Sequence, residues 1–258
     1  MKLNIKELEK WTNAFGPSGF ERDVAKIVKK YTEPFADEVL QDKTGSVIFK
    51  KGTKGPKIMI AGHIDEIGFI VTGINDAGFI TFNQLGGWWD QVLLGHRVVI
   101  KTAQGDVIGV LGAKPPHMLG AEERKKIVEK KDMYIDVGAC SEEEVREMGV
   151  RPGDPIIPVS EFIVMNNPKF YLSKAFDNRL GCALAIQAVR QAADDGHPNA
   201  LYAVGTVQEE VGLRGAKTSA FAINPEVAII LEVDIAGDVP GIKPEESSVK
   251  MGGGPTLL

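Results

Sequence analysis

A stretch of short strands in the middle of the chain constrains the fold more than any other feature. From about Phe69 to Ile163, apolar and polar residues alternate in short segments separated by glycine and proline. This pattern predicts an all-β unit, most simply a small barrel. Strands alternate with helices on either side of it, which predicts a mainly parallel sheet covered by helices. We therefore expect an α/β fold in three parts: residues 1–68, an inserted β-barrel at 69–163, and residues 164–258.

Local signals add detail to this outline. Ser18 and Glu21 have the spacing of a capping box that would start a second helix, and Ser141 and Glu144 have the same spacing before a short helix inside the insert. The glycine- and lysine-rich turn at 50–57 suits a hairpin between two neighbouring strands.

Composition excludes several functional classes. The chain has 258 residues, 43% of them hydrophobic, so it can bury a substantial core. Its net charge of −5 gives no basic surface for nucleic acid, and no segment approaches the roughly 18 apolar residues that span a bilayer. We expect no nucleic-acid or membrane partner and a cytoplasmic location. Cys140 and Cys182 lack the CxxC spacing of a thiolate metal site.

Six polar residues lie at or just past the ends of apolar runs. They are His63, Asp65, Asp177, Glu209, Glu210 and Asp234. In an α/β sheet the strands present such positions to one ligand-binding crevice. The set is mostly carboxylate with one imidazole, which suits Zn²⁺, Co²⁺ or Mn²⁺. Two cations about 3.5–4 Å apart would polarise a carbonyl group and generate hydroxide, so hydrolysis is the implied chemistry.

Each residue also has a simpler interpretation. His63 could be a satisfied core histidine, although Asp65 falls on the same side of the strand and could fix its tautomer. Asp177 could be a helix cap, and Asp234 could cap a following segment. Glu209 and Glu210 could be an ordinary pair of surface glutamates. Because neighbouring side chains diverge, one could instead bind a metal while the other moves protons.

Seven separated motifs together resemble one protein family. In chain order they are GPSGFE, AGHIDEIGFIV, GGWWDQVLLG, KPPH, KAFDNR, QEEVGLRGA and EVDIAGD. They resemble the cytosolic dinuclear metallo-aminopeptidases, which include glutamyl and deblocking aminopeptidases and tetrahedral dodecamers, some of them labelled endoglucanase. The resemblance implies a zinc-exopeptidase-like α/β domain whose inserted barrel serves assembly, with Trp88 and Trp89 as subunit contacts. It also implies two Zn or Co ions per subunit, peptide substrates and a homo-oligomer, a dodecamer in these relatives.

The resemblance assigns roles to the six polar residues. The implied reaction is hydrolysis of the N-terminal peptide bond through a metal-bridging water that a glutamate activates. The implied metal ligands are His63, Asp177, which bridges, Glu210 and Asp234. The implied catalytic residues are Glu209, the general base, and Asp65, which orients His63.

One departure from the family affects the second metal. The family completes that site with a histidine near its C-terminus, in a segment that this sequence does not contain. We therefore expect the C-terminal part of the α/β domain to be missing, and weak second-metal binding and poor activity for a chain that ends at Leu258. Two alternatives stay open: a glycoside hydrolase built on paired carboxylates, and a catalytically incomplete assembly module.

Overall fold

The computed structural model of the protein describes residues 3–257. The helices are α1 (Ile5–Asn13), α2 (Arg22–Thr32), α3 (Glu142–Glu147), α4 (Phe176–Asp195) and α5 (Arg214–Ile223). The strands are β1 (Glu38–Gln41), β2 (Val47–Lys51), β3 (Lys57–His63), β4 (Gly68–Ile74), β5 (Ile80–Leu85), β6 (Arg97–Thr102), β7 (Gly105–Ala113), β8 (Met133–Asp136), β9 (Pro155–Pro158), β10 (Ile163–Val164), β11 (Tyr171–Leu172), β12 (Ala200–Thr206) and β13 (Val227–Ile230).

A five-stranded sheet forms the α/β part, in the order β1–β2–β12–β3–β13. Strands β12 and β13 run parallel to β3, and β2 is antiparallel to both β1 and β12. Only β2 therefore runs against the other four strands, and the mainly parallel sheet is confirmed. The carboxyl ends of β12, β3 and β13 meet at one edge, where α/β folds place their ligands.

Helices cover this sheet because its strands carry apolar residues on both faces. On one face, α1, α2 and α4 bury Trp11, Val24 and Ile186 against Phe49 of β2. On the other face, Ile223 of α5 packs with buried residues of β2, β3 and β12. Burial on both faces explains why β12 is a continuous apolar run without alternation.

The insert folds as a closed barrel in the order β4–β5–β8–β7–β6–β9. Its interior is filled by branched and aromatic side chains, among them Phe69, Ile80, Ile100 and Ile135. The expected all-β barrel is thus confirmed, and on this basis we propose residues 69–163 as the inserted domain. The predicted cap of α3 is present as well, with Ser141 Oγ accepting from Glu144 N at 3.2 Å.

The capping box expected at Ser18 and Glu21 is wrong. Helix α2 has no side-chain hydrogen bond at its N-cap. Ser18 Oγ donates instead to Asp65 Oδ2 at 2.6 Å, and Glu21 Oε1 accepts from Gly19 N and from Gln208 N. Both side chains thus bond to residues distant in the sequence, Ser18 to Asp65 and Glu21 to Gln208, which local spacing does not reveal.

The hairpin expected at 50–57 is also wrong. Strand β12 lies between β2 and β3 and pairs with both, so the turn connects strands that are not neighbours. The fully buried β12 takes the centre of the sheet, which its apolar sequence favours over an edge position. Strands β10 and β11 form a separate two-stranded ribbon.

Between residues 3 and 257, no helix combines the length and the apolar character needed to cross a lipid bilayer.

Close packing of β3 on α4 gives a testable consequence. A Cβ atom on Gly62 would lie 2.3 Å from the backbone nitrogen of Cys182. Because backbone cannot move aside cheaply, Gly62→Ala should lower the free energy of unfolding by about 1–3 kcal/mol or more, as overpacking does. Gly87→Ala is the matched control, since its Cβ would meet nothing within 4 Å. Urea denaturation measures both, and equal stabilities would refute this packing.

Candidate metal centre

Three side chains from separate parts of the chain converge at the carboxyl edge of the sheet. His63 ends β3, Asp177 lies in the first turn of α4, and Glu210 follows β12. One possible ligand atom from each lies within 4.8 Å of the other two. His63 Nε2 is 2.9 Å from Asp177 Oδ1. The backbone of Asp177 departs from helical angles (φ −81°, ψ 107°), so this residue belongs to the strand-to-helix turn rather than to the regular helix.

The two ring nitrogens of His63 have different surroundings. Nδ1 lies 3.1 Å from the carbonyl oxygen of Asp65 and 3.4 Å from its Oδ1. Nε2 faces Asp177, with Glu209 Oε2 at 3.8 Å. Acceptors around Nδ1 favour a proton on that nitrogen, so Nε2 is the nitrogen that would bind a cation, with release of its own proton.

The carboxylate of Asp65 is fully buried and holds several parts of the site together. Its Oδ1 accepts from Glu209 N at 3.0 Å. Its Oδ2 accepts from Glu210 N at 3.2 Å and from Ser18 Oγ. Asp65 therefore fixes the imidazole on one side and the backbone of both glutamates on the other.

Crowding of carboxylates shapes the electrostatics. Burial lowers the pKa of His63, but hydrogen bonds to Asp177 and Asp65 outweigh it and raise this pKa to about 10. Burial, together with the charge of Asp177, raises the pKa of Glu210 to about 7. Burial also raises the pKa of Glu209. The ionised forms of these neighbouring carboxylates repel one another, and a cation bound among them would stabilise the ionised forms.

The structure does not bring Asp234 into this cluster, where the sequence analysis expected it. Asp234 is exposed; its Oδ1 accepts from Ile235 N and its Oδ2 from Thr256 Oγ1. Glu232 comes closer to the cluster, with Oε2 4.0 Å from His63 Nε2. The physical reason is register: β13 pairs Ile230 with Ala61, and two further residues bring Glu232 level with His63.

A second polar network, which the sequence analysis missed, lies beside the site. Arg179 is fully buried and donates to the carbonyl oxygens of Trp11, Ala14 and Ile64 at 2.7–2.8 Å. It also donates to Glu66 Oε1 at 3.1 Å, and Lys174 Nζ donates to both carboxylate oxygens of Glu66 at 2.8 Å.

The position of this network in the sequence was a usable signal. Glu66 directly follows Asp65, and Arg179 lies two residues after Asp177. Because a buried guanidinium with several acceptors is costly to move, it holds the chain segments that carry His63 and Asp177 in fixed relation.

The donor set fits a divalent cation. One imidazole nitrogen and two carboxylate oxygens, close together and with a further carboxylate nearby, are ligands that Zn²⁺ and Co²⁺ accept. Asp177 is 62% exposed, so the centre is open to a substrate from outside.

Comparison with known proteins agrees with this chemistry. The model of the M42 glutamyl aminopeptidase family matches residues 45–258. The glutamyl aminopeptidase of Lactococcus lactis subsp. cremoris is 36% identical over 245 residues, which are 93% of this chain and 68% of that protein.

Two solved structures match over most of the chain. A TET aminopeptidase from the marine sediment archaeon Thaumarchaeota archaeon SCGC AB-539-E09 has a TM-score of 0.94 and 56% identity, covering 97% of this chain and 70% of that one. The TET1 peptidase of Pyrococcus horikoshii, which can assemble into a tetrahedron or a large octahedral shell, has a TM-score of 0.80 and 34% identity, covering 91% and 72%.

Two acidic residues that closely follow β13, Glu232 and Asp234, allow a matched test. If Glu232 faces the cation, Glu232→Gln should weaken Zn²⁺ binding by at least the 10- to 100-fold that loss of an outer-shell partner costs. Asp234→Asn should leave the affinity within about twofold, because Asp234 bonds to Thr256 instead. Competition with a chromophoric chelator measures both constants. Weaker binding in Asp234→Asn alone would restore the ligand set expected from the sequence.

Proposed function

Because the chain belongs to the M42 glutamyl aminopeptidase family, we propose that the cluster around His63 binds the divalent cations of a metal-dependent aminopeptidase. Enzymes of this kind hydrolyse the N-terminal peptide bond of peptides. The observation that carries the proposal is the convergence of His63, Asp177 and Glu210 within 4.8 Å. These residues come from three separate sequence motifs, so a shared function in metal binding explains their proximity better than chance does.

We propose two ions per subunit, zinc or cobalt. His63 and Glu232 would hold one ion and Glu210 the other, with the exposed Asp177 shared between them. When bound, such ions polarise the scissile carbonyl group and lower the pKa of water. Asp65 would orient His63 through its contact with Nδ1 and would keep Glu210 in place through the backbone.

Glu209 is our candidate for the general base. Its carboxylate lies 3.8 Å from His63 Nε2, and its backbone nitrogen is held by Asp65. Burial raises its pKa, which makes the ionised carboxylate a better proton acceptor. In this position it can take a proton from the attacking water and deliver it to the departing amine.

We further propose a homo-oligomer in the cytoplasm that acts on peptides. The Pyrococcus horikoshii TET1 peptidase, which can assemble into a tetrahedron or a large octahedral shell, supports the oligomer, and a solved dodecamer among the similar structures supports that size. The proposed oligomer rests on the similarity between this chain and the Pyrococcus horikoshii peptidase, and not on an interface identified on this chain.

The alternatives account for less of the geometry. A glycoside hydrolase needs two carboxylates across a sugar ring, but it gives no task to a buried histidine bonded to Asp177. An assembly module without activity would not need the carboxylate of Asp65 to fix His63, Glu209 and Glu210 together.

Glu209→Gln separates the base from the ligands. This substitution keeps the shape but removes the proton acceptor, so kcat should fall about 100- to 10,000-fold while metal content is unchanged. Glu210→Gln is the contrasting variant, because it should lose metal as well as activity. Turnover of a leucyl peptide and metal content by elemental analysis are measured on the same samples.

Two results would contradict the assignment. Retention of a substantial rate in Glu209→Gln would remove this residue from the base role. Full turnover of the peptide after exhaustive treatment with EDTA would exclude a metal-dependent mechanism.

A further inference from the structure

We propose that a cavity between the barrel and the metal centre receives an apolar side chain of the peptide, next to the bond that is cleaved. The inference rests on the proposed function and deepens it. The cavity measures about 250 Å³. We call it the barrel-side cavity, and its lining is Glu66, Ile67, Trp88, His96, Pro158, Ser160, Lys174, Ala175, Asp177 and Glu210.

The position of the barrel-side cavity points to the substrate. Asp177 and Glu210, two of the proposed metal ligands, form part of its wall. A group bound there lies directly beside the reacting atoms. The volume is below the roughly 300–1,000 Å³ of sites for drug-sized ligands, and it suits one amino-acid side chain.

The chemistry of the walls selects an apolar occupant. Ile67, Trp88, Pro158 and Ala175 offer carbon surface. The ammonium group of Lys174 in the wall is already paired with Glu66, with Nζ 2.8 Å from both carboxylate oxygens. Asp177 and Glu210 also line the cavity, but as proposed metal ligands their charges would be engaged by the cations. A charged side chain would therefore lose its hydration without gaining an oppositely charged partner of its own, whereas an apolar side chain gains from burial.

The barrel wall is rigid enough to discriminate between side chains. Trp88 Nε1 donates to the carbonyl oxygen of Gly68 at 3.1 Å, and its indole stacks on Phe69 with ring centroids 4.8 Å apart. At Gly86, where φ is +82°, an added Cβ would lie 2.6 Å from Ile67 Cγ2 and 3.1 Å from Glu210 Cβ. The loop that carries Trp88 thus packs directly against a proposed ligand.

This geometry separates the two neighbouring tryptophans. Both were expected from the sequence to be subunit contacts. Trp88 is half-buried and lines the barrel-side cavity, whereas Trp89 is 64% exposed and lies outside the lining. The barrel thereby contributes to substrate selection through Trp88.

The test fills the cavity without touching a proposed ligand. Ser160→Leu places carbon in the lining, and Trp88→Ala enlarges it; Trp89→Ala is the matched control. We would measure kcat/KM for two peptide series, one with alanine or leucine as the N-terminal residue and one with alanine or leucine as the second residue.

The wild-type protein should prefer leucine by about tenfold or more in one of the two series, as expected for added methylenes in an apolar pocket. Ser160→Leu should abolish that preference, and Trp89→Ala should keep it. The series that responds identifies which substrate residue the cavity holds. An unchanged preference in both series for Ser160→Leu would overturn the proposal, and this variant decides even if Trp88→Ala does not fold.

If the wild-type protein cleaves no peptide in the presence of Zn²⁺ or Co²⁺, the proposed aminopeptidase function is contradicted, whereas the cavity proposal is still open to test. The cavity is then tested by calorimetric titration with leucinamide and alaninamide. Tighter binding of leucinamide that Ser160→Leu removes would support the cavity as an apolar subsite. Equal binding of the two amides to the wild-type protein would overturn it.

Discussion

The buried carboxylate of Asp65 is the interaction on which the site depends. It is fully enclosed, and it contacts the His63 ring, the backbone nitrogens of Glu209 and Glu210, and the Ser18 hydroxyl. An ionised carboxylate without water is unstable unless donors surround it, so the protein must bring these groups together in order to fold. The contacts that satisfy the buried carboxylate of Asp65 in the folded protein therefore also place the imidazole of His63 beside the two glutamates.

The Arg179 network extends this constraint into the fold. Arg179 joins the carbonyl oxygens of Trp11 and Ala14, at the end of α1, to Ile64 and Glu66, just after β3. It lies two residues after Asp177, so the turn that presents Asp177 is tied to the strand that presents His63. The barrel adds a third element, because the loop at Gly86 packs against Glu210. Sheet, helix and barrel each fix one side of the centre.

The sequence predicted the parts of this arrangement that depend on local pattern. Alternation of apolar residues was sufficient for the barrel, and alternation of strands with helices for the helix-covered sheet. Position at or just past the end of an apolar run selected His63, Asp177 and Glu210, which the structure brings together. The differences from the structure concern contacts across the chain. Glu232 and Asp234 are both acids just after β13, and the register against β3 brings Glu232 nearer to His63. Ser18 has the local spacing of a capping box, but its hydroxyl donates to the distant Asp65.

The central claim is that the cluster of His63, Asp177 and Glu210 binds divalent cations, with His63 and Asp177 holding one of them. Crystals of the protein grown with Zn²⁺ or Co²⁺, measured at the X-ray absorption edge of each metal, test it most directly. The account predicts an anomalous peak within about 2.0–2.2 Å of His63 Nε2 and of a carboxylate oxygen of Asp177. Anomalous density only at other positions, with His63 Nε2 still bonded to Asp177, would contradict it.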